Sequence, residues 1–356
     1  MDGKIKKKLL GFAGDERTPF FVFFQSKPAD RFIELKNSFG GLAKHVSFCY
    51  SVKTNPFPGI LAVLSSCGSG FEVVSERELL VVRSLNAVKV FNSISATPDE
   101  LDLAVKQNAL IVIDSLSVAS LLNQRLKNAP LDVGLRVRFS NSKFGFSPSE
   151  VKNAIEELKK LNLFVTILHS HCGTNVSLDE YRNFISKLSE LALGFPFLKG
   201  LDIGGGIPGK ATLKSRSQSL SDYASVVNEF FGDFLSTRSL FLECGRFLSE
   251  DSFVLVTKVH HIKLADGKQL AVLDCGINVL SKLVMSPFSF VSLSEKNGKK
   301  SSFLLAGPLM FGSDKLGHFF GEINQGDFLA VENTGAYCME LGWSLSYDLP
   351  KIVVSD

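Results

Sequence analysis

The chain has 356 residues, 45% apolar and 21% charged, the balance of a globular protein that is long enough for two domains. Its net charge of +3, with basic residues spread along the chain, argues against a nucleic-acid or membrane partner. The six cysteines form no CxxC pair, which favours reduced, buried thiols over a disulfide framework or a metal site.

The N-terminal segment contains a basic run, Lys4–Lys8, and then a short apolar stretch, Leu9–Ala13. That stretch is too short for the core of a signal peptide. No apolar run in the chain approaches the roughly 18 residues that a membrane span needs. We therefore expect a solvated N-terminal tail and a cytoplasmic protein.

Strand patterns then alternate with helical patterns up to residue 245. The predicted strands are Val46–Val52, Gly70–Val74, Val88–Phe91, Leu110–Ile113, Val133–Phe139, Leu163–His169, Leu198–Ile203 and Leu240–Glu243. The predicted helices are Gly59–Cys67, Ser75–Leu85, Pro98–Gln107, Ser115–Leu126, Pro148–Leu161, Leu178–Leu193 and Leu220–Phe234. Such alternation predicts an α/β fold with a parallel sheet, and eight strands suggest a closed TIM-like (β/α)8 barrel over residues 26–249.

The pattern changes after residue 250, where strands follow one another without a strong helix. The predicted strands there are Ser252–Ile262, Lys268–Leu273, Ser301–Ala306, Phe328–Val331 and Pro350–Val354. The strand-like segment Thr18–Phe24 precedes the barrel. We therefore predict an all-β second domain, a β-barrel or sandwich, formed by residues 1–25 and 250–356.

Polar and glycine residues recur where the predicted barrel strands end. Catalytic groups of a parallel barrel lie at the carboxyl ends of its strands. The strand-end residues are Lys53, Glu72, Arg136, Arg138, His169, His171, Gly204–Gly206 and Glu243–Arg246. A packed scaffold does not require this recurrence, so it indicates an active site.

Lys53 stands between the apolar strand Val46–Tyr50 and an Asn-Pro turn, Asn55-Pro56. A lysine there must reach solvent, find a counter-charge or lose its proton. A desolvated lysine with a lowered pKa is a nucleophile suited to a Schiff base, whereas a lysine that snorkels to the surface has no such role.

The glycine-rich segment Gly204–Lys210 follows a predicted strand and matches the glycine spacing of two nucleotide-binding motifs. A P-loop requires Ser or Thr after its lysine, and this chain has Ala211. Both motifs must also open a helix, and we expect residues 210–219 to be irregular. Exposed backbone N–H groups at this turn would still suit a phosphate. The simple alternative is a tight turn.

The strand ends and the predicted β domain carry a series of short motifs in one order. They are Tyr50–Asn55, Gly70–Ser75, Leu135–Val137, Lys143–Gly145, His171–Thr174, Gly204–Gly209, Glu243–Arg246, Asp274–Val279 and Gly335–Tyr337. Together they resemble the decarboxylase branch of the fold-type III, alanine-racemase-like pyridoxal-phosphate enzymes, above all the diaminopimelate and ornithine decarboxylases. The resemblance covers nearly the whole chain and implies a homodimer with shared active sites.

The resemblance also implies a role for each matching residue. Lys53 would form a Schiff base with pyridoxal 5'-phosphate, His171 would stack on its ring and Thr174 would help to hold its phosphate. Glu243 would keep the ring nitrogen protonated, which makes the ring an electron sink and favours decarboxylation. The further cofactor-binding positions are Glu72, Arg136, Gly204, Gly205, Gly206, Gly245, Arg246 and Tyr337.

One motif departs from the family pattern, in which a cysteine and an acid are supplied across the dimer interface. Met310 and Phe311 stand in their places within Gly307–Asp314. A thioether cannot donate a proton, so Cys338, His171 or Lys53 would have to return one to the substrate. We expect Met310 and Asp314 to contact the substrate.

Lys282 stands where diaminopimelate decarboxylases commonly place an arginine that binds a distal carboxylate. This disfavours an amine-ended substrate. Two substrate classes stay open, a carrier- or peptide-linked amino acid and a free, diaminopimelate-like one. Two other functions also stay open, a non-catalytic protein that binds pyridoxal phosphate and a nucleotide-dependent enzyme.

Overall fold

The computed structural model describes residues 1–281, 288–294, 296 and 298–356. Contacts within the chain divide it into two compact units, residues 28–248 and residues 1–27 with 249–356. The six cysteines are free thiols, as their spacing indicates. Within the described ranges, we find no helix with the length and apolar character to cross a membrane.

The first unit is a closed barrel of eight parallel strands, which confirms the predicted fold class. The strands are His45–Ser51, Gly70–Val73, Lys89–Phe91, Leu110–Ile113, Leu131–Val137, Leu163–Ser170, Gly200–Asp202 and Ser239–Leu242. Each strand pairs with the next along the chain. The first strand also pairs with the last, with Phe48 opposite Leu242, and this pairing closes the barrel. All eight carboxyl ends therefore meet at one mouth.

Helices connect these strands, and seven of them lie where the sequence predicts, while Ser26–Phe39, Lys210–Ser215 and Arg246–Ser249 are additional. They are Ser26–Phe39, Pro58–Ser66, Glu76–Val82, Pro98–Lys106, Leu116–Leu126, Val151–Lys160, Leu178–Ala192, Lys210–Ser215, Leu220–Leu235 and Arg246–Ser249, with 3-10 turns at Val52–Thr54, Pro148–Glu150 and Glu250–Ser252. Ser75 caps its helix by accepting from the backbone N–H of Glu78. Such a cap contributes about 1 kcal/mol of stability.

Each of these helices has an apolar face that packs against the barrel. In Leu178–Ala192, for example, Tyr181, Ile185 and Leu188 are buried, three or four residues apart, while the opposite face is charged. Fully burying one such side chain contributes roughly 1.5–3 kcal/mol. This packing fixes the strands, and so the positions of the groups at their ends.

The second unit is a β-sheet that the N-terminal strand joins. Its strands are Phe20–Phe24, Phe253–Ala265, Lys268–Leu273, Phe290–Ser292, Ser301–Ala306, Lys315–Gly321, Phe328–Val331 and Lys351–Ser355. Phe20–Phe24 pairs antiparallel with Phe253–Ala265 and parallel with Lys351–Ser355. The short strand Phe290–Ser292 and the strand Lys315–Gly321 have weak sequence patterns and were not predicted.

Two local expectations are wrong. Residues 210–219 are not irregular throughout, because Lys210–Ser215 is a short helix that Gly209 precedes. The N-terminal lysine run is not a free tail but part of the helix Gly3–Asp15, which Asp2 caps through the N–H of Ile5. The helix forms because Leu9 and Ala13 pack against the β-sheet of their own unit, a long-range contact that local composition does not reveal.

Candidate active site

Lys53 lies in the 3-10 turn that ends the first barrel strand, with its Nζ 2.7 and 2.6 Å from the two carboxylate oxygens of Glu72. Glu72 pairs in register with Ser51 on the neighbouring strand, and the Ser51 hydroxyl donates to the same carboxylate. Glu72 is fully buried, whereas the Lys53 side chain is 42% exposed. Lys53 is therefore not the desolvated amine of the sequence-based hypothesis, since it has both a counter-charge and access to solvent.

Glu243 follows the last barrel strand, and its Oε2 lies 3.3 Å from Nε2 of His169. Burial acts to raise the pKa of Glu243, but the hydrogen bond with His169 and the positive charge of Lys53 lower it overall. Its other oxygen, Oε1, is buried and accepts no hydrogen bond from any described residue. The site thus presents one ionised carboxylate oxygen with capacity for a donor.

His171 lies beyond the strand Leu163–Ser170, and its Nδ1 accepts a hydrogen bond of 3.1 Å from the N–H of Gly205. The side chain is exposed at the barrel mouth, but protein atoms crowd around it. The resulting desolvation, reinforced by the positive charge of Lys53, lowers the pKa of His171 from 6.5 to about 4. The imidazole is therefore neutral near pH 7, with its proton on Nε2.

Arg136 contacts residues that follow several of the barrel strands. Its Nη1 donates to Asn92 Oδ1 at 3.0 Å, and the guanidinium lies 4.1 Å from the centre of the Phe144 ring. Asp114 lies 4.0 Å from Nε of Arg136 and accepts from the N–H of Gly145. Arg136 is therefore held in place by groups from several strand ends.

Two glycine segments bring backbone close to the site. Gly204 and Gly206 have φ angles of 63° and 99°, in the region that favours glycine. A Cβ on Gly205 would lie 2.5 Å from the carbonyl oxygen of Glu243. At Gly245 a Cβ would overlap the hydroxyl of Thr54. Small residues are therefore required at these positions.

The remaining predicted residues of the barrel unit lie beside these segments. Thr174 is exposed in the turn after His171. Arg246 is buried, and it begins the short helix after Gly245. Both side chains can carry the donors that a phosphate needs.

The other predicted residues belong to the second unit. Tyr337 has a φ of 62°, unusual for a bulky residue and a mark of a constrained position, and Cys338 is buried. Met310 is 98% exposed. Asp314 is buried and accepts from the N–H groups of Ile277 and Leu309, both at 2.8 Å, and its expected contact with the substrate stays a prediction. Lys282 lies outside the described residues.

Sequence reasoning missed three polar residues of this network. Asn92 and Asp114 come directly after the strands Lys89–Phe91 and Leu110–Ile113, so the strand-end rule could have found both. Asp202 ends the strand Gly200–Asp202 and is fully buried beside His169 and Glu243. An acid within an apolar strand was its only signal.

These residues fit pyridoxal phosphate. An amine at Lys53 can bind its aldehyde, the open Oε1 of Glu243 can accept from a protonated ring nitrogen, and the exposed imidazole of His171 offers a flat neutral neighbour. Of the glycine turn Gly204–Gly206, the N–H groups of Gly204 and Gly205 donate within the protein, which leaves the N–H of Gly206 for a phosphate.

Comparison with known proteins gives the same cofactor. Residues 27–250 match the family described as pyridoxal-dependent decarboxylase, pyridoxal binding domain. The chain is 25% identical to diaminopimelate decarboxylase of Aquifex aeolicus, over 90% of this chain and 82% of the relative. It is 27% identical to the enzyme of the same name from Helicobacter pylori, over 90% and 86%.

Solved structures confirm the fold. A lysine/ornithine decarboxylase from Vibrio vulnificus superimposes with a TM-score of 0.87 at 20% identity and covers 100% of this chain and 99% of its own. The arginine decarboxylase of Paramecium bursaria Chlorella virus gives a TM-score of 0.88 at 20% identity, over 99% and 100%. This chain therefore belongs to the pyridoxal-dependent decarboxylases and is a pyridoxal-phosphate-dependent amino-acid decarboxylase.

Proposed function

We propose that this enzyme removes an α-carboxylate from a free amino acid with a distal anionic group, of the diaminopimelate type. The observation that carries the decarboxylase chemistry is the buried, ionised Glu243 with its open Oε1. The substrate class is supported by the diaminopimelate decarboxylases that match at 25% and 27% identity along most of both chains. Neither comparison supports the carrier- or peptide-linked substrate.

When bound, pyridoxal phosphate supplies an electron sink for the pair of electrons that the departing carboxylate leaves behind. Glu243 keeps its negative charge at neutral pH and so stabilises a positive ring nitrogen. Lys53 is the covalent attachment point, and Glu72 can take the proton that the Lys53 amine must lose before it reacts. Phosphate oxygens would be held by Thr174, Arg246 and the N–H of Gly206, since the N–H groups of Gly204 and Gly205 already donate to Asp202 and His171.

The proton that returns to the substrate needs a donor other than Met310, whose thioether carries none. Nζ of Lys53 holds protons that it shares with Glu72, and the neutral His171 carries one on Nε2. We assign Lys53 as the donor, because an ammonium is more acidic than a neutral imidazole N–H. Cys338, which is buried, is the remaining candidate.

We also propose a homodimer. The second unit exposes large apolar side chains that a monomer would leave in water: Met310, Phe311, Leu341, Trp343, Leu345, Tyr347 and Leu349. Phe311 and Trp343 lie in contact, with ring centres 6.3 Å apart. An apolar, aromatic surface of this kind is typical of a subunit interface. The measurement is the mass in solution by light scattering, and a monomer at all concentrations would contradict the proposal.

The test of the function begins with the visible spectrum of the purified protein before and after borohydride, followed by mapping of the reduced peptide. Pyridoxyl fixed on Lys53 is expected. Release of CO₂ is then compared for diaminopimelate, lysine, ornithine and a carrier-linked amino acid. Turnover of diaminopimelate well above that of the others supports the proposed substrate. A preference for ornithine or for the carrier-linked compound would replace it.

A further inference from the structure

Three buried ionisable side chains lie behind the proposed cofactor site, at the ends of three neighbouring strands. His169, Asp202 and Glu243 are 0%, 0% and 5% exposed. His169 and Asp202 are register partners, and Asp202 is in turn the register partner of Phe241, two residues before Glu243. One donor or acceptor atom from each residue lies within 4.8 Å of those of the other two. Two carboxyl groups and one imidazole therefore share a space without solvent.

The hydrogen bonds within this cluster leave too few donors. Oδ1 of Asp202 accepts from the N–H of Gly204 at 2.9 Å, and Oε2 of Glu243 pairs with His169. Oδ2 of Asp202 and Oε1 of Glu243 are both buried, and in the described part of the chain no group donates to either. Two neighbouring carboxylates cannot both stay ionised at such a site, because like charges at low dielectric repel strongly.

We propose that Asp202 is a positioning residue that keeps a proton on its carboxyl group and donates a hydrogen bond to Oε1 of Glu243, whose second lone pair remains for the cofactor ring nitrogen. This interaction holds Glu243 in place as the single ionised carboxylate of the cluster. The inference rests on the proposed role of Glu243 as the partner of the cofactor ring nitrogen. Asp202 itself contacts neither substrate nor cofactor.

The surroundings decide which of the two acids holds the proton. Glu243 has His169, Lys53 and His171 as positive or polarisable neighbours, and these lower its pKa to about 2. Asp202 has one backbone N–H. Burial, then the negative charges of Glu243 and Glu72, raise its pKa well above the usual value. Arg136 is held by Asn92 and Asp114, and its positive charge also acts on Glu243, Glu72 and Asp202.

The experiment is infrared spectroscopy of the full-length protein at pH 7, with and without its cofactor, after labelling of all aspartates with ¹³C at the side-chain carboxyl. We expect the carbonyl band of a protonated carboxylic acid, and a shift of that band in the labelled protein. The band should be absent from Asp202→Asn and present in Asp179→Asn, a matched change at an exposed aspartate. No band, or a band that the label does not shift, overturns the proposal.

A second measurement separates positioning from folding. Asp202→Asn keeps a donor, whereas Asp202→Leu removes it and leaves Glu243 without that partner. The dissociation constant of pyridoxal phosphate should rise about tenfold more in the leucine variant, the effect of one buried hydrogen bond. Equal effects in two variants with unchanged unfolding midpoints would overturn the positioning role. Should Asp202→Asn fail to fold, Asp202→Leu assigns the band in its place, because it also removes the carboxyl group.

The infrared result does not depend on turnover. An inactive protein with the labelled band would keep the inference about Asp202 and remove the proposed function. An active decarboxylase without the band would keep the proposed function and remove the inference about Asp202.

Discussion

The carboxyl end of the barrel and the segment Gly307–Asp314 of the second unit use their acids in different ways. In the barrel, Glu72 and Glu243 are buried and are paired with the ionisable groups Lys53 and His169. In the second unit, Asp314 gives its oxygens to backbone N–H groups, and the neighbouring Met310 is 98% exposed. The groups that suit the cofactor therefore lie at rigid strand ends. In Gly307–Asp314, the buried acid stabilises the backbone conformation, and Met310 remains available for contacts with other molecules.

The largest effect is expected at the barrel site itself. Lys53→Ala removes the only group that we assign to covalent attachment, so CO₂ release should fall on the order of 10⁴-fold or more. Lys199→Ala is the matched control, because Lys199 is an exposed barrel lysine that pairs with Asp132 at 2.6 Å. If Lys53→Ala kept substantial activity, the barrel site would lose its central assignment.

Glu243→Gln tests whether the buried charge, and not the shape, matters. The amide fills the same space without a negative charge, so kcat should fall about 10²- to 10³-fold with the fold retained. Glu229→Gln, which removes an exposed carboxylate paired with Arg182, should leave kcat unchanged. A glutamine variant with normal kcat would show that the ionised state of Glu243 is dispensable.

Gly245→Ala tests the close packing of the strand ends. The new Cβ would overlap the Thr54 hydroxyl, and overpacking of this kind lowers the free energy of unfolding by about 1–3 kcal/mol. Gly11→Ala is the control, with an expected effect of opposite sign. A Cβ at Gly11 meets nothing within 4 Å in the helix Gly3–Asp15, so this change should raise the free energy of unfolding by about 0.4–1 kcal/mol. Urea unfolding measures both, and an unaffected Gly245→Ala would mean that the site is looser than described.

The imidazole of His171 should titrate with a midpoint near pH 4 in the cofactor-free protein, against 6.5 for a free histidine. Because the pKa of His171 is lower in the folded than in the unfolded chain, protons bind preferentially to the unfolded chain. The contribution of the neutral imidazole to stability is therefore complete above pH 6.5 and is lost as the pH falls towards 4. NMR titration measures the midpoint, and His171→Gln assigns the signal and should weaken the acid destabilisation in that window. A midpoint near 6.5 would contradict the crowded setting of the ring.

The smallest effect is expected in the second unit. Met310→Ala should change the free energy of unfolding by less than about 0.5 kcal/mol, because the side chain is exposed. The adjacent Leu309 is buried, and Leu309→Ala should lower the free energy of unfolding by about 2 kcal/mol or more. Denaturant unfolding at low protein concentration, where a dimer dissociates, compares the two variants. A large loss for Met310→Ala under those conditions would show that the segment packs within its own chain.

Local sequence patterns determined the barrel and most of the strands. The strand Leu110–Ile113 and the start of the helix after Ser115 follow from an apolar run and a capping serine, both readable over a few residues. The positions of Lys53, His171 and Glu243 at strand ends follow from the same patterns, while their roles in the site stay predictions. Strands and caps depend on neighbours in sequence, so the sequence alone was sufficient for them.

Tertiary structure alone decided the contacts between segments far apart in the chain. The lysine-rich N-terminal segment is helical because Leu9 and Ala13 meet a sheet formed by distant strands. Lys53 found Glu72 as its counter-charge because two strands pair in one register, and Asp202 reached Glu243 because their strands are adjacent. Burial and the distance between charges fix which groups are ionised, and both quantities exist only once the chain has folded.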